Sequence, residues 1–264
     1  TGIHITGNVA ATTWTLGNVN GYWNSIASSA DGTKLVAVYD YIYTSTDSGA
    51  TWTQRTGSGI HNWYSVTSSA DGTKLAAAGW GEYIYTSTDS GATWVQRTSA
   101  GARTWRSMAS SSDGTKLVAV VQNGYIYTST DSGATWTEQT SPGIQQWYSV
   151  TSSADGTKLA AVLFGGYIYT SINSGVTWTQ QTSAGNRAWF AIASSSDGAR
   201  LAAIADYVYT SIDSGTTWTQ QTGSGYRNWR GVASSADGTK LAAVAYYDYI
   251  YTSTDSGATW TPQT

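Results

Sequence analysis

Residues 45–52 read Ser-Thr-Asp-Ser-Gly-Ala-Thr-Trp, and this octapeptide indicates a repeat architecture because it recurs along the chain. Three identical copies and two near-copies follow it, at residues 87–94, 129–136, 253–260, 171–178 and 211–218. Successive copies begin 40 or 42 residues apart. A fixed period of about 40 residues is typical of a propeller or of a similar array built from one repeated supersecondary unit.

The repeated unit has the pattern of four short β-strands. In the second unit, segments of β-branched, aromatic and small residues are separated by Gly and Asp turn signals, which predicts strands A to D at 64–69, 74–78, 83–87 and 93–98. Asp71-Gly72 between A and B is a hairpin signal, because glycine accepts the positive φ of a tight turn. The octapeptide forms the C–D turn, where its Asp accepts backbone hydrogen bonds, its Gly adopts a left-handed conformation and its Trp fills the adjoining apolar space.

Six units of four antiparallel strands predict an all-β, six-bladed β-propeller as a single domain over residues 1–264. Small residues in strand A, such as Ser-Val-Thr-Ser-Ser at 65–69, fit an inner strand that is crowded around a central axis. A seven-bladed ring stays open as an alternative, and a stacked solenoid ranks lower because its repeats are usually shorter or helical. The units lie at about 21–56, 57–98, 99–140, 141–182, 183–222 and 223–264.

Residues 1–20 are interpreted as a degenerate leading C–D hairpin that takes part in closing the ring. Residues 3–14 align without gaps to a C strand, an octapeptide and a D strand. Val9 replaces the Asp of the octapeptide and Ala11 replaces its Gly, so this turn has lost the residues that define the others.

The octapeptide resembles the Asp-box, also called the BNR repeat, Ser/Thr-x-Asp-x-Gly-x-Thr-Trp/Phe, and the resemblance covers nearly the whole chain. Asp-boxes occur in sialidases, some other glycosidases, sortilin-type receptors and a photosystem assembly factor, all of which are propellers. The resemblance therefore implies the fold. It does not imply one activity, because one fold carries many functions.

Composition excludes several classes of function. Charged residues make up 11% of the chain and the net charge is −3, so there is no basic stripe for nucleic acid. The chain has no cysteine, and its two histidines, His4 and His61, lie far apart in sequence, so neither a metal site nor a cofactor is expected. No apolar run is long enough to span a membrane. The Ser-, Thr-, Gly- and aromatic-rich composition favours an extracellular or cell-surface location.

The topology separates two faces of the propeller. The A–B and C–D turns, which barely vary among the copies, share one face (the constant face), whereas the D–A and B–C loops share the other (the variable face). Loops on a rigid scaffold are where binding residues concentrate, so ligand contacts are expected on the variable face. Those candidates are Trp23, Trp63, Trp105, Trp147, Trp189, Trp229, Arg103, Arg187, Arg227, Asp40, Trp80, Glu82, Asn123, Phe164, Asp206, Tyr246 and Asp248. For the six Trp residues, which are fixed in every unit, packing between blades is the competing interpretation.

Aromatic rings beside Arg, Asn and acidic residues favour a non-enzymatic, lectin-like carbohydrate-binding protein with several similar sites and multivalent glycan binding. A sialidase-like glycosidase is one alternative. It is disfavoured because the chain has only two glutamates, Glu82 and Glu138, and because near-identical repeats leave little room for one specialised active site. A protein-binding scaffold, or a self-associating adhesin or assembly module, is the other alternative.

Overall fold

The computed structural model describes residues 21–263, and within them lie six four-stranded antiparallel units. Units 1 to 3 contain β1 (Ser25–Ser28), β2 (Leu35–Val38), β3 (Ile42–Ser45), β4 (Thr53–Arg55), β5 (Trp63–Ser68), β6 (Leu75–Glu82), β7 (Ile84–Ser87), β8 (Val95–Arg97), β9 (Arg103–Ser110), β10 (Leu117–Gly124), β11 (Ile126–Ser129) and β12 (Thr137–Gln139). Units 4 to 6 contain β13 (Gln145–Ser152), β14 (Leu159–Gly166), β15 (Ile168–Ser171), β16 (Thr179–Gln181), β17 (Arg187–Ala188), β18 (Ala191–Ser194), β19 (Leu201–Ile204), β20 (Val208–Ser211), β21 (Thr219–Gln221), β22 (Trp229–Ser234), β23 (Leu241–Ala245), β24 (Ile250–Ser253) and β25 (Thr261–Gln263). Single-turn 3-10 helices at Thr56–Ser58 and Thr222–Ser224 follow β4 and β21. The leading hairpin predicted for residues 1–20 lies outside the described residues.

The predicted four-strand pattern is confirmed, with one difference at the B–C loops. In unit 2, β6 extends to Glu82, although residues 79–82 were expected to form a loop. The extension pairs with the next unit, Trp80 lying opposite Thr104 and Glu82 opposite Arg103. This pairing joins strands from different units, so it is not visible in the pattern of a single unit.

The octapeptide turn has the predicted chemistry. In unit 2, the backbone N–H of Thr93 donates to Asp89 Oδ1 at 2.9 Å, and the Thr93 hydroxyl donates to Asp89 Oδ2 at 2.6 Å. Gly91 has φ +83°, and a Cβ at this position would lie 2.7 Å from Thr44 Cγ2 of unit 1. The Trp94 indole N–H donates to the carbonyl of Gly91 at 3.1 Å. The turn therefore needs glycine both for its conformation and for the close approach of the neighbouring unit.

Hydrogen bonds on the constant face connect the A–B turn with the octapeptide turn of one unit, and they also connect neighbouring units. Within unit 2, the N–H of Ser90 in the octapeptide donates to the carbonyl of Thr73 in the A–B turn at 2.9 Å. Between units 1 and 2, Lys34 Nζ donates to the carbonyl of Asp71 at 3.0 Å, and the N–H of Ala30 donates to the carbonyl of Ala70 at 2.7 Å. The Ala30–Ala70 bond recurs at each of the next four junctions, also at 2.7 Å. The predicted sharing of one face by the two turn types is confirmed.

The inner strands of all six units line a cavity of about 430 Å³. Its walls carry small side chains, including the Ser-Ser pair that stands at the end of strand A in each unit. Five apolar clusters fill the junctions between consecutive units, from units 1 and 2 to units 5 and 6. The two end units differ from the others, because Leu35 of unit 1 and Val244 and Ile250 of unit 6 are half-buried, whereas their equivalents in the inner units are buried.

Removal of the box carboxylate is expected to cost stability without affecting a ligand. Asp89→Ala removes an acceptor of backbone and hydroxyl hydrogen bonds and should lower the free energy of unfolding by about 1–2 kcal/mol. Asp89→Asn should cost less, because unit 4 carries Asn173, whose Oδ1 accepts from the Thr177 N–H at 2.9 Å. Urea unfolding of the two variants measures the difference. Weakened ligand binding by Asp89→Ala at an unchanged melting temperature would contradict the assignment of the two faces.

Candidate ligand-binding surface at the variable face

The constant Trp residues do not present a surface to a ligand. The side chains of Trp63, Trp105, Trp147, Trp189 and Trp229 are 0% exposed, and Trp23 is half-buried. Trp147, for example, contacts Tyr169 edge-on at 5.3 Å between ring centroids, and its N–H donates to the carbonyl of Gly124 in the preceding unit at 3.1 Å. The expectation that these five indoles contact a ligand is therefore revised: they are packing residues at the junctions between units.

A second group of candidates forms ion pairs across neighbouring loops. Arg227 lies 2.8 Å from Asp248, and Arg187 lies 3.4 Å from Asp206. Each arginine also stacks on a tyrosine of strand C, with 4.4 Å from Arg227 Cζ to the Tyr251 ring. Sequence reasoning placed these residues on one face but did not pair them.

Arg103 and Glu82 also lie close to side chains of opposite or potentially opposite charge, but these partners are not among the candidates. Arg103 Nε donates to the carbonyl of Ala100 at 2.7 Å, and the guanidinium lies 3.9 Å from Glu138. Glu82 lies 3.1 Å from His61. These charged side chains are thus paired with other side chains of the protein. Two further candidates make no such pair with any residue of the described range 21–263: Asp40 accepts from the backbone N–H of Tyr41 at 2.9 Å, and Asn123 is exposed with φ +56°.

The residue directly after the constant Trp is displaced from the strand ladder. In unit 3, Trp105 pairs with Val121 and Ser107 with Val120, so Arg106 is an extra residue on β9. The same irregularity displaces Tyr64, Tyr148 and Arg230. A β-bulge re-aims a side chain and is enriched beside binding and active sites. Sequence reasoning did not select this position, although its variation beside an invariant Trp was a usable signal.

The displaced residues form contacts from unit to unit together with Phe190, the residue after the constant Trp189. Arg106 Cζ lies 4.3 Å from the centre of the Tyr64 ring and 3.7 Å from that of Tyr148. The Tyr148 ring lies 5.5 Å from that of Phe190, and Arg230 Cζ lies 4.3 Å from the Phe190 ring. We call Tyr64, Arg106, Tyr148, Phe190 and Arg230 the mouth arc. Each of them comes one or two residues before the segment of its unit that lines the cavity, so the arc lies toward the variable-face end of these segments.

Three predicted candidates lie against the mouth arc and are exposed. Trp80, Phe164 and Tyr246 are 47%, 38% and 49% exposed. Trp80 lies 6.0 Å from Tyr64, Phe164 lies 5.6 Å from Tyr148, and Tyr246 lies 5.8 Å from Arg230, measured to ring centroids. We call these three residues the loop aromatics. Together with the arc they form an exposed surface of aromatic rings and guanidinium groups.

Tyrosines next to the acidic side chains are poorly suited to nucleophilic attack. Burial and the adjacent Asp206 carboxylate raise the pKa of Tyr209 to about 12, and burial with a hydrogen bond to Asp248 raises the pKa of Tyr251. Tyr127, which donates to Glu138, also has a raised pKa, chiefly because of burial. All three are at most 5% exposed. The raised pKa makes each tyrosinate harder to form than in a free tyrosine, and little of each side chain is accessible from solvent.

Residues 21–263 contain no cluster of three or more His, Cys, Asp or Glu side chains placed to hold a metal ion. No helix in this part of the chain has the length and apolar character needed to cross a membrane.

Comparison with known proteins gives structural likeness alone. No protein-family model matches the chain, and no curated protein sequence matches it. Among solved structures, YCF48 bound to D1 peptide is similar with a TM-score of 0.73 and 17% identity, covering 98% of this chain and 86% of that one. YCF48 from Cyanidioschyzon merolae gives a TM-score of 0.65 and 17% identity, with 91% and 84% of the two chains covered.

A glycoside hydrolase is also similar. The GH74 enzyme of Niastella koreensis gives a TM-score of 0.70 and 18% identity, covering 90% of this chain and 46% of the enzyme. The chain thus spans about half the length of that enzyme. At these levels of sequence identity, the structural likeness establishes the fold and does not establish the activity. The chain is therefore an all-β protein of four-stranded antiparallel units with the architecture of a β-propeller.

Proposed function

We propose that this protein is a non-enzymatic carbohydrate-binding module whose ligand lies across the mouth arc and the loop aromatics. The observation that carries the proposal is the displacement of Tyr64, Arg106, Tyr148 and Arg230 out of the strand ladder toward three exposed aromatic rings. The apolar faces of sugar rings stack on aromatic side chains, and their hydroxyls accept hydrogen bonds from guanidinium groups. Rigid aromatic residues supply this contact area at low entropic cost.

The surface contains two similar groupings, which supports multivalent binding. In the first, Arg106 lies between Tyr64 with Trp80 and Tyr148 with Phe164. In the second, Arg230 lies between Phe190 and Tyr246. Two weak sites on one rigid body gain avidity, by about 10²–10⁴-fold where a polymeric ligand spans both. A secreted or cell-surface location is part of this proposal.

The arrangement of the acidic side chains supports a binding function over glycoside hydrolysis. A glycosidase needs two carboxyl groups facing the scissile bond. Here Glu82, Asp206 and Asp248 each pair with a histidine or arginine of a neighbouring loop, and the tyrosines beside Asp206 and Asp248 are buried. Likeness to a GH74 enzyme keeps hydrolysis as an outcome to test, and release of reducing sugar from a bound glycan would overturn the non-enzymatic proposal.

A protein-binding scaffold is the second candidate function. Exposed Trp, Tyr and Arg are enriched at the energetic centres of protein interfaces. YCF48 bound to D1 peptide shares the fold over 98% of this chain. On this alternative the same surface binds a polypeptide and no glycan.

Alanine substitution of a loop aromatic is expected to weaken glycan binding. Trp80→Ala and Phe164→Ala each remove an exposed ring and should weaken binding by about tenfold, which corresponds to about 1.4 kcal/mol. A glycan array followed by titration calorimetry measures the change.

The matched control is Ile172→Thr, a change on the constant face. Ile172 is 74% exposed, and four other octapeptides carry Thr at this position. The control should bind like the parent protein. Equal weakening by the control, or binding of no glycan by the parent, would overturn the proposal.

A further inference from the structure

Arginines of the variable face fall into two classes within residues 21–263. The loop arginines Arg103, Arg187 and Arg227 each lie within 4 Å of a carboxylate. Arg106 and Arg230 join none of the ion pairs in this part of the chain. The arc therefore holds two guanidinium groups whose charge is not balanced by an acidic partner there.

Aromatic rings hold these two groups in place. Arg106 lies between the Tyr64 and Tyr148 rings at 4.3 and 3.7 Å, and Arg230 lies 4.3 Å from Phe190. Cation–π contact uses the face of the guanidinium plane and leaves its N–H edge available. The Arg106 guanidinium donates no hydrogen bond to another described residue, and the Arg230 guanidinium donates one, from Nη1 to the carbonyl of Trp229 at 3.2 Å. Both groups are half-buried, so their donors are partly desolvated and fixed before a ligand arrives.

We propose that the glycan bound at this surface is acidic and that Arg106 and Arg230 bind its carboxylate groups. This inference rests on the proposed function and specifies the class of ligand, a uronate-containing polysaccharide. The planar fork of N–H donors on arginine matches a carboxylate in a bidentate arrangement, and charge-assisted hydrogen bonds are about twice as strong as neutral ones. Preorganisation by the stacked rings reduces the entropic cost of binding.

The overall charge of the chain does not favour binding of an acidic polymer. A net charge of −3 repels a polyanion at long range, so nonspecific attraction does not account for binding of an acidic polymer. Selectivity for such a ligand has to come from local cations. The charge of the loop arginines is already offset by carboxylates, which leaves the two arc arginines as the specific donors on this surface.

The test compares each acidic glycan with its own neutral form. A panel of uronate polysaccharides, including polygalacturonate, is titrated alongside the same polymers after methyl esterification, which removes the charge and keeps the sugar backbone. Tighter binding of the acidic form by tenfold or more is expected, with weakening between 0.05 and 0.5 M NaCl because exposed ionic contacts are screened. Arg106→Gln and Arg230→Gln should each weaken binding of the acidic form by about 10–100-fold and binding of the ester by a smaller factor, so that the preference for the acidic form shrinks.

Arg97→Gln is the matched control. It makes the same charge change on outer strand β8, where Arg97 Nε donates to Thr86 Oγ1 at 2.7 Å. The equivalent residue in four units is Gln, and Gln181 Nε2 makes the same bond to Thr170 at 2.8 Å. Arg97→Gln should therefore keep both the fold and the preference for the acidic form. Arg106→Lys, which keeps the charge and loses the fork, should bind less tightly than the parent.

The titrations can overturn the preference for acidic glycans without overturning carbohydrate binding. Equal binding of acid and ester, or binding of neutral glycans alone, would overturn the inference and leave carbohydrate binding in place. Loss of the acid preference in Arg97→Gln would also overturn it, because the effect would then be one of overall charge. Binding of poly-glutamate with no glycan bound would overturn both, in favour of a polypeptide partner.

Discussion

Replacing Trp147 by alanine is expected to lower the free energy of unfolding by about 3–5 kcal/mol, the usual cost of removing a large buried aromatic side chain. Trp147 is 0% exposed, lies 5.3 Å from Tyr169 and 6.4 Å from Trp178, and belongs to the apolar cluster between units 3 and 4. The substitution leaves a cavity at a junction and removes the hydrogen bond to Gly124 of the preceding unit. Urea unfolding followed by tryptophan fluorescence measures the change.

Trp147→Phe and glycan binding complete this test. Phenylalanine keeps the edge-on contact with Tyr169 and should cost less than alanine. Under conditions where the alanine variant stays folded, its affinity for glycan should equal that of the parent, because the indole has no exposed surface. A tenfold loss of affinity with less than about 1 kcal/mol of destabilisation would show that the indole meets the ligand after all.

Acidification from pH 4 to pH 2 is expected to destabilise the protein. Hydrogen bonds from Thr and Ser lower the pKa of Asp47, Asp71, Asp89, Asp113 and Asp155 to about 2. An unfolded Asp has a pKa of about 3.9. Because the folded value is the lower one, each group contributes stability that is complete above pH 4 and is lost as the pH falls toward 2.

The effect is large because the carboxylates act together. Six A–B turns and five octapeptides carry an Asp with a lowered pKa, at residues 31, 71, 113, 155, 197, 237, 47, 89, 131, 213 and 255. Thermal melts at pH 5, 4, 3 and 2 should show a steep fall in midpoint below pH 4. Asp89→Asn should make that fall slightly shallower. A midpoint that stays constant to pH 2 would contradict the role given to these hydrogen bonds.

The turns and strands could be predicted from the sequence because their causes are local. An Asp that accepts from Thr four residues later, or a Gly with positive φ, needs only its own segment, as Asp89 and Gly72 show. The internal copies also separated the two faces correctly. What could not be predicted depends on neighbouring units. The pairing of Trp80 with Thr104 arises where two units meet. Packing between blades was one of the two interpretations of Trp147, and its complete burial decides between them.

The mouth arc was missed for a related reason. Whether a residue after Trp105 continues the ladder or is displaced depends on the register between β9 and β10. The period of side-chain types does not report that register. The acidic candidates were placed on the correct face, but the partner of Asp248 is Arg227, 21 residues earlier in the chain, and spacing alone does not pair them.

The bonds that join neighbouring units on the constant face are made by residues that nearly every unit carries. Ala70 accepts from Ala30 and donates to Ser112, and Lys34 and Lys74 reach equivalent carbonyls in the units that follow them. A duplicated repeat inserted in frame would therefore meet compatible neighbours on both sides at once. Recombination between the repeats within the gene can change the sequence of the variable-face loops, or the number of repeats. No new contact between units has to evolve first.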